Sequence, residues 1–247
     1  MIVLFTDFGP GGPYTGQMKA VLARAAPGVP VVELADDLPA CEPEPAAYLL
    51  AACAPAFPPG AVFVCVVDPG VGGDRAPLAL SAGGRWYVGP DNGLLAIAAR
   101  RADDAAWHLI TWRPPALSAS FHGRDLFAPV AARLARGEAV PGTPLDGAAA
   151  VGADWPADRA AIVYVDPYGN AMTGLRASQL PEGAMLAAGG QRLGRLRTFS
   201  DAAPGAAFWY ENANGLAEVA VNRGRADRAL GLRVGTPVRI EAGGRAG

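Results

Sequence analysis

The first half of the chain alternates between short apolar runs and apolar residues spaced three or four apart. The continuous apolar run at 62–67 is typical of a strand buried on both faces of a parallel sheet, and Ile2–Thr6 predicts a second buried strand. An apolar stripe over 14–25 predicts a helix, and residues 46–54 predict another. A short strand at 31–34 completes a β-α-β-α-β order, which indicates a parallel sheet with right-handed crossovers.

The pattern after the second long strand mixes both element types and then loses its periodicity. The elements predicted here are strands at 78–81 and 86–88 in a hairpin, a helix at 94–100, a strand at 106–111 and a helix whose apolar stripe covers 126–134. Residues 137–158 are rich in Gly, Pro and Ala and show no periodicity. We interpret them as a linker between domains.

Beyond residue 158, strands replace helices. Short segments separated by turn residues predict strands at 161–165, 184–188, 193–199, 216–221 and 237–240. The predicted fold is therefore an α/β N-terminal domain with a mostly parallel central sheet at 1–136, the linker at 137–158, and a smaller C-terminal all-β, barrel-like domain at 159–247.

Composition and charge exclude some classes of partner. The 247 residues carry a formal net charge of −2 with scattered arginines, so there is no basic surface for nucleic acid. No apolar stretch is long enough for a membrane span, and the first residues lack the basic start of a signal peptide. Three cysteines without C-x-x-C spacing are expected to be buried thiols. We expect a soluble, cytoplasmic protein.

Two predicted strands end at a carboxylate. Asp68 follows the run at 62–67 and is succeeded by Pro69 and several glycines, whereas Asp7 follows the first strand. In open α/β sheets this edge is where ligands bind. Asp68 and Arg75 bracket the loop and could face one another, either as part of a site or as an ion pair that only staples the loop. Asp7 could accept hydrogen bonds from a ribose diol or could cap the next helix.

A third polar cluster precedes the helix at 126–134. His122, Arg124 and Asp125 lie within four residues, and His122 is the side chain there that could carry a proton at neutral pH. Asp125 is expected to be structural, in the first turn of the helix. His108 lies on a predicted strand and is left outside the site. The turn at 91–93, D-N-G, is interpreted as turn chemistry.

The all-β part carries polar residues of its own. Asp166, Tyr168 and Asn170 supply an acceptor, an aromatic face and an amide, which suit an adenine and an amino-acid head group but suit a turn equally well. Asn222 lies in another turn-rich segment and is open to the same two interpretations.

Taken together, the motifs resemble the S-adenosylmethionine (SAM) hydroxide adenosyltransferase family, relatives of the SAM-dependent fluorinating and chlorinating enzymes. The matching motifs are T-D-F-G at 6–9 followed by Y-x-G-x-M-K at 14–19, V-D-P-G-V-G at 67–72, D-N-G at 91–93, F-H-G-R-D at 121–125 followed by F-A-P at 127–129, and G-N at 169–170. They cover both predicted domains in order. The resemblance implies a homotrimer with SAM bound between neighbouring subunits.

The resemblance also assigns roles to residues. The family's catalytic Asp, Arg and His look like Asp68, Arg75 and His122, and its ribose-binding Asp resembles Asp7. Its methionine- and adenine-binding residues look like Asp166, Tyr168, Asn170 and Asn222. Ala213 stands where the family often has Ser, which removes one hydroxyl from the expected contacts with the methionine head group.

The implied reaction is attack of water on the 5′ carbon of SAM, which releases L-methionine and adenosine. SAM is then the substrate, and neither cofactor nor metal is expected. One alternative is halide transfer, but Asp68 would repel an anion at about 4 Å by roughly 1–4 kcal/mol. Another alternative is a SAM-binding protein without catalysis, against which the intact Asp68, Arg75 and His122 argue.

Overall fold

The computed structural model describes residues 1–242 of the chain. These residues form two compact units, one at Met1–Ala157 and one from Asp158 onwards. Each unit has its own buried core. No helix within residues 1–242 has the length and apolar character needed to span a membrane.

The first unit is built on a seven-stranded sheet of order β2-β1-β3-β5-β4-β6-β7. Its strands are β1 (Ile2–Thr6), β2 (Val31–Ala35), β3 (Val62–Val66), β4 (Pro77–Ala82), β5 (Arg85–Pro90), β6 (Ala106–Ile110) and β7 (Gly142–Leu145). The pairs β1–β2, β1–β3 and β3–β5 are parallel, while β4 pairs antiparallel with β5 and β6. The predicted α/β fold with a mostly parallel central sheet is confirmed.

Helices cover both faces of this sheet. They are α1 (Pro13–Ala25), α2 (Pro43–Cys53), α3 (Ala96–Arg100) and α4 (Ala128–Ala135). Every residue of β1 and β3 is buried, and alternate residues such as Leu4 and Val64 pack with Met18 of α1 and Phe127 before α4. Because both strand faces are covered, β3 is apolar at every position and β1 at every position before Thr6, which is why the sequence pattern identifies them.

The segment 137–158 contains regular structure that the sequence does not reveal. β7 at Gly142–Leu145 pairs antiparallel with β6, and a short helical turn follows at Gly147–Ala149. Two residues of β7 are exposed and one of them is Pro144, so the strand lies at the sheet edge without an apolar alternation. Residues up to Ala157 cluster with the first unit.

The second unit consists mainly of antiparallel strands. They are β8 (Arg159–Val165), β9 (Ala171–Arg176), β10 (Met185–Ala188), β11 (Gln191–Leu193), β12 (Ala207–Glu211), β13 (Leu216–Val221) and β14 (Arg239–Glu241), with one short helix, α5 (Ala226–Ala229). They form a four-stranded sheet of order β12-β13-β9-β8 and a three-stranded sheet of order β11-β10-β14. The predicted all-β domain is confirmed at this level.

Two details of the second unit differ from the sequence prediction. The strand expected at 193–199 ends at Leu193, and the end of the expected range is a helical turn at Phe199–Asp201 that a capping box of Thr198 and Asp201 starts. β9 and β12 are not predicted, because Gly174 interrupts the first and the glycines and prolines around the second hide its alternation.

Candidate active site

Two carboxylates emerge from the same edge of the first sheet. β1 and β3 pair in parallel, with Thr6 opposite Val66, so Asp7 and Asp68 follow adjacent strand ends. The backbone N–H of Asp7 donates to the carbonyl of Val66 at 3.3 Å, which continues the ladder to the point where the chains diverge. The carboxyl ends of parallel strands thus deliver both side chains to one place.

Arg75 faces Asp68 across the loop that follows β3. Its Nε donates to Oδ1 at 2.9 Å and to Oδ2 at 3.1 Å, and its Nη2 also donates to Oδ2. The Asp68 side chain is 4% exposed and that of Arg75 10% exposed, so the pair is screened little by solvent. This is the contact that the sequence spacing predicts.

The same guanidinium reaches His122. Nη2 of Arg75 lies 2.9 Å from Nδ1 of His122. Because an arginine nitrogen can only donate, Nδ1 accepts and the neutral imidazole carries its hydrogen on Nε2. Burial lowers the pKa of His122, and the positive charge of Arg75 lowers it further, against the opposing effect of Asp68. The structure therefore favours a neutral histidine at pH 7.

Two contacts to backbone carbonyls fix the loop after β3, which carries Asp68 and Arg75. Asn92, in the D-N-G turn, donates from Nδ2 to the carbonyl of Val67 at 2.7 Å and so ties down the residue before Asp68. Gly72 has φ of +79° and lies against the carbonyl of Ala119, too close for any side chain. The D-N-G motif thus positions the loop after β3, a role that turn chemistry alone does not reveal.

Asp125 anchors the segment that carries His122. It accepts from the backbone N–H of Ser118 at 3.0 Å and pairs with Arg124, whose hydrogen bond lowers the pKa of Asp125. A π-helical turn at Gly123–Phe127 then leads into α4. The structural role predicted for Asp125 is confirmed.

Asp68 and His122 share a small cavity with Asp7. It has a volume of about 90 Å³, and its lining includes Asp7, Asp68 and His122. Oδ2 of Asp7 accepts from the backbone N–H of Cys41 at 2.9 Å. Cys41 itself is exposed, with φ of +61°, so the expectation that all three cysteines are buried is wrong for this one, which lies in a turn before α2.

The second unit contains a larger pocket of about 660 Å³. Asp166, Tyr168 and Asn170 all line it, and they belong to the turn between β8 and β9. Asp166 accepts from the backbone N–H of Asn170 at 2.8 Å and from its Nδ2 at 3.0 Å, while Tyr168 is 78% exposed. The structure brings these three predicted residues together in one pocket.

Asn222 does not line that pocket. Its Nδ2 donates to the carbonyl of Ala202 at 2.7 Å, whereas its neighbours Val221 and Arg223 border the cavity. Asn222 therefore positions the chain beside the pocket in this structure. Its predicted contact with a ligand stays a prediction.

The pocket also contains residues that sequence analysis does not single out. Phe199 and Tyr210 line it, and their rings meet edge to face at 5.2 Å. Arg223 lines it as well, with φ of +55°, an uncommon conformation for a residue with a side chain. Phe199 and Tyr210 lie eleven residues apart, on either side of a turn-rich segment, so no short motif joins them. The available signal for Arg223 was a charged residue in the V-N-R-G turn.

Comparison with known proteins gives the same assignment for both units. Residues 2–143 match the model of the SAM hydroxide adenosyltransferase N-terminal domain, and residues 160–239 match that of the C-terminal domain. A protein of Thermus thermophilus named (R)-S-adenosyl-L-methionine hydrolase is 43% identical over 97% of this chain and 98% of its own length. One of the same name from Salinispora arenicola is 39% identical over 96% of both chains.

Solved structures of similar fold cover nearly the whole chain. A crystal structure of an uncharacterized conserved protein from Thermotoga maritima has a TM-score of 0.87 at 28% identity, covering 97% of this chain and 99% of that one. Another, of a conserved hypothetical protein from Thermus thermophilus, has a TM-score of 0.78 at 38% identity, with the same coverage. On the two domain matches and these near-full-length identities, the chain belongs to the SAM hydroxide adenosyltransferase family.

Proposed function

We propose that this protein hydrolyses SAM, with water displacing L-methionine at the 5′ carbon to give adenosine and L-methionine. The observation that carries the proposal is the hydrogen-bonded group of Asp68, Arg75 and His122 beside the cavity that also contains Asp7. The relatives that bear the name of SAM hydrolase support it, at 38 to 43% identity over nearly the full chain.

The chemistry demands little acid catalysis. The sulfonium of SAM is already an activated leaving group, so methionine departs without protonation. The difficulty is the weak nucleophile, because water has to lose a proton as it attacks. Arg75 stays protonated and cannot be the base, but it can hold the neighbouring groups in place around a bound water.

The hydrogen-bond directions favour Asp68 as the proton acceptor. Arg75 occupies Nδ1 of His122, which is the basic nitrogen of the neutral ring, so this nitrogen is blocked while the contact lasts. A carboxylate has about four lone-pair sites, and Asp68 can accept from water while it stays paired with Arg75. In this proposal Nε2–H of His122 donates to the water oxygen and orients its lone pair toward the 5′ carbon.

The substrate would use groups from both pockets. We place the ribose diol on Asp7 and the adenine and amino-acid parts against the larger pocket with Asp166, Tyr168 and Asn170, which offers aromatic faces and hydrogen-bonding groups. Asn222 would act beside them. In the proposed homotrimer neighbouring subunits contribute the two sets of residues to one site.

The side chains at the site also bear on whether a cofactor or metal is needed. The proposed reaction needs no cofactor or metal, because the leaving group is activated and Asp68 can take the proton. The proposed location is the cytoplasm, which the three unpaired thiols support because such thiols persist in reducing compartments.

The first experiment is chromatography of the purified protein incubated with SAM in halide-free buffer. Equal amounts of adenosine and methionine, growing with time, would establish hydrolysis. A 5′-halo product that forms only with added chloride or fluoride would identify a halide transferase instead. Tight SAM binding without any product would identify a binding protein.

A further inference from the structure

A buried carboxylate lies behind the larger pocket and takes no part in the mechanism above. Glu218 is on β13 and is 2% exposed. Its Oε1 accepts from the Tyr210 hydroxyl at 2.7 Å, and its Oε2 accepts from Nδ2 of Asn212 at 2.7 Å. The two donors, a phenol and an amide, carry no charge.

If Glu218 served stability alone, its burial would cost folding free energy without a return. A buried carboxylate whose donors are neutral keeps an uncompensated charge or takes up a proton. Burial raises the pKa of Glu218, and the negative charge of Asp166 acts in the same direction. An apolar residue on β13 would avoid both effects, since replacing buried charges with packed apolar groups is often neutral or stabilising.

The geometry indicates what the carboxylate does instead. Tyr210 and Glu218 are opposite one another on β12 and β13, and the Tyr210 ring lines the pocket edge to face with Phe199. Asn212, the second donor, caps the turn between these strands by accepting from the backbone N–H groups of Asn214 and Leu216. Glu218 thus ties a pocket ring to the hydrogen-bonded turn beside it.

We propose that Glu218 is a positioning residue, which holds the Tyr210 ring so that Tyr210 and Phe199 form a preordered wall for the adenine ring of the substrate. This inference rests on the SAM-binding role proposed for the pocket above. A wall that is ordered before binding loses less side-chain entropy when the ligand arrives. The effect should therefore appear in affinity rather than in the chemical step.

The test measures binding of adenosine, which cannot turn over, by titration calorimetry, together with kcat and KM for SAM. Tyr210→Phe and Glu218→Leu should each weaken adenosine binding about tenfold, which corresponds to about 1.4 kcal/mol. We expect KM to rise with it and kcat to change by less than about twofold, because only uniform binding is removed. Glu218→Gln should bind nearly as wild type, because an amide can still bond to both the phenol and Asn212.

The matched control is Tyr48→Phe, which removes a tyrosine hydrogen bond of 2.8 Å to the carbonyl of Pro156, outside the pocket. It should lower the melting temperature without changing adenosine affinity. The inference is overturned if Tyr210→Phe and Glu218→Leu bind adenosine like the wild type, or if the wild type binds none. Wild-type binding without SAM turnover would instead refute the proposed hydrolysis and leave the binding comparison decisive. If Tyr210→Phe does not fold, the comparison of Glu218→Leu with Glu218→Gln decides.

Discussion

Nη2 of Arg75 lies 2.9 Å from Nδ1 of His122, and the same nitrogen donates to Asp68. One guanidinium therefore sets both the tautomer of the histidine and the orientation of the carboxylate. Its ring contact with Phe127, at 5.2 Å from the guanidinium carbon to the ring centroid, holds the flat group from a third side. The three side chains should respond to substitution as a unit.

Arg75→Lys is the first test of that unit. A lysine ammonium is a single point of charge and cannot reproduce the fork that spans Asp68 and His122. We expect kcat to fall at least about 10²-fold, the size of effect typical for a misplaced reacting group, with a smaller change in KM. Turnover of SAM measured by chromatography checks this, and a kcat within about twofold of wild type would contradict it.

His122→Ala should lower kcat about 10²- to 10⁴-fold, because the attacking water loses the group that orients it and Asp68 is then less effective as its base. SAM should still bind, because Asp7 and the larger pocket are untouched. The chain offers a matched control in its only other histidine, His108 on β6, which lies beside Trp86 and outside the cavity. His108→Ala is expected to keep wild-type kcat, and equal losses in both variants would argue against a special role for His122.

The pH dependence of turnover should report the protonation of His122. Its pKa is lowered from about 6.5 by burial and by Arg75, and only the neutral ring can accept from Arg75. We expect kcat to be constant around pH 7 and to fall on acidification, with a midpoint below pH 6.5. A midpoint above 6.5 in the kcat profile would contradict a neutral, Arg75-bound histidine.

The same shift makes a prediction for stability. Between the lowered pKa of folded His122 and about 6.5 in the unfolded chain, the unfolded state binds more protons, so stability falls as pH decreases through that window. Below the folded pKa this contribution becomes constant. Urea denaturation of wild type and His122→Ala between about pH 5 and 7.5 should show a steeper loss in the wild type, and parallel curves would exclude the shift.

Gly72→Ala tests the close approach behind the site. A methyl group there would collide with the carbonyl of Ala119, in the segment that leads to His122, and φ at this position is +79°. We expect both lower stability and lower kcat, because the loop after β3 would have to move away from the His122 segment. Gly60→Ala, with φ of +81° and open space around it, is the control, and should cost only the backbone strain of roughly 1–2 kcal/mol.

The hydrophobic pattern and the turn residues predict the buried strands of the first unit and the loop that carries Asp68. β3 is a continuous apolar run and β1 is apolar up to Thr6, so both strands are predictable. A strand followed by Asp, Pro and Gly predicts the ligand-binding end of the sheet, and Arg75 at the far side of the loop predicts the contact with Asp68. His122 is different, since a lone histidine in a loop has no distinctive signal. Its polar neighbours and its pKa near neutrality make it a candidate, and only the resemblance of F-H-G-R-D to a known family assigns it a catalytic role.

The second unit shows why the other pocket residues cannot be predicted from the sequence. β13 reads as an apolar strand with one Glu, and a charged residue in such a strand is usually expected at the surface. Glu218 is nevertheless buried, on a strand that β12 and β9 flank in the sheet, and Tyr210 and Asn212 hydrogen-bond to its carboxylate. Phe199, Tyr210 and Arg223 meet in one pocket only after the sheet forms.

The three thiols of the chain differ in a way that supplies a chemical reporter. Burial raises the pKa of Cys53 to about 11 and that of Cys65 well above its usual value, so both are expected to be slow to alkylate. Cys41 is exposed, borders the small cavity and donates its backbone N–H to Asp7. A thiol reagent should therefore label a single position in the unmodified protein, and protection of that position by a nucleoside would trace occupancy at Asp7 without any substitution.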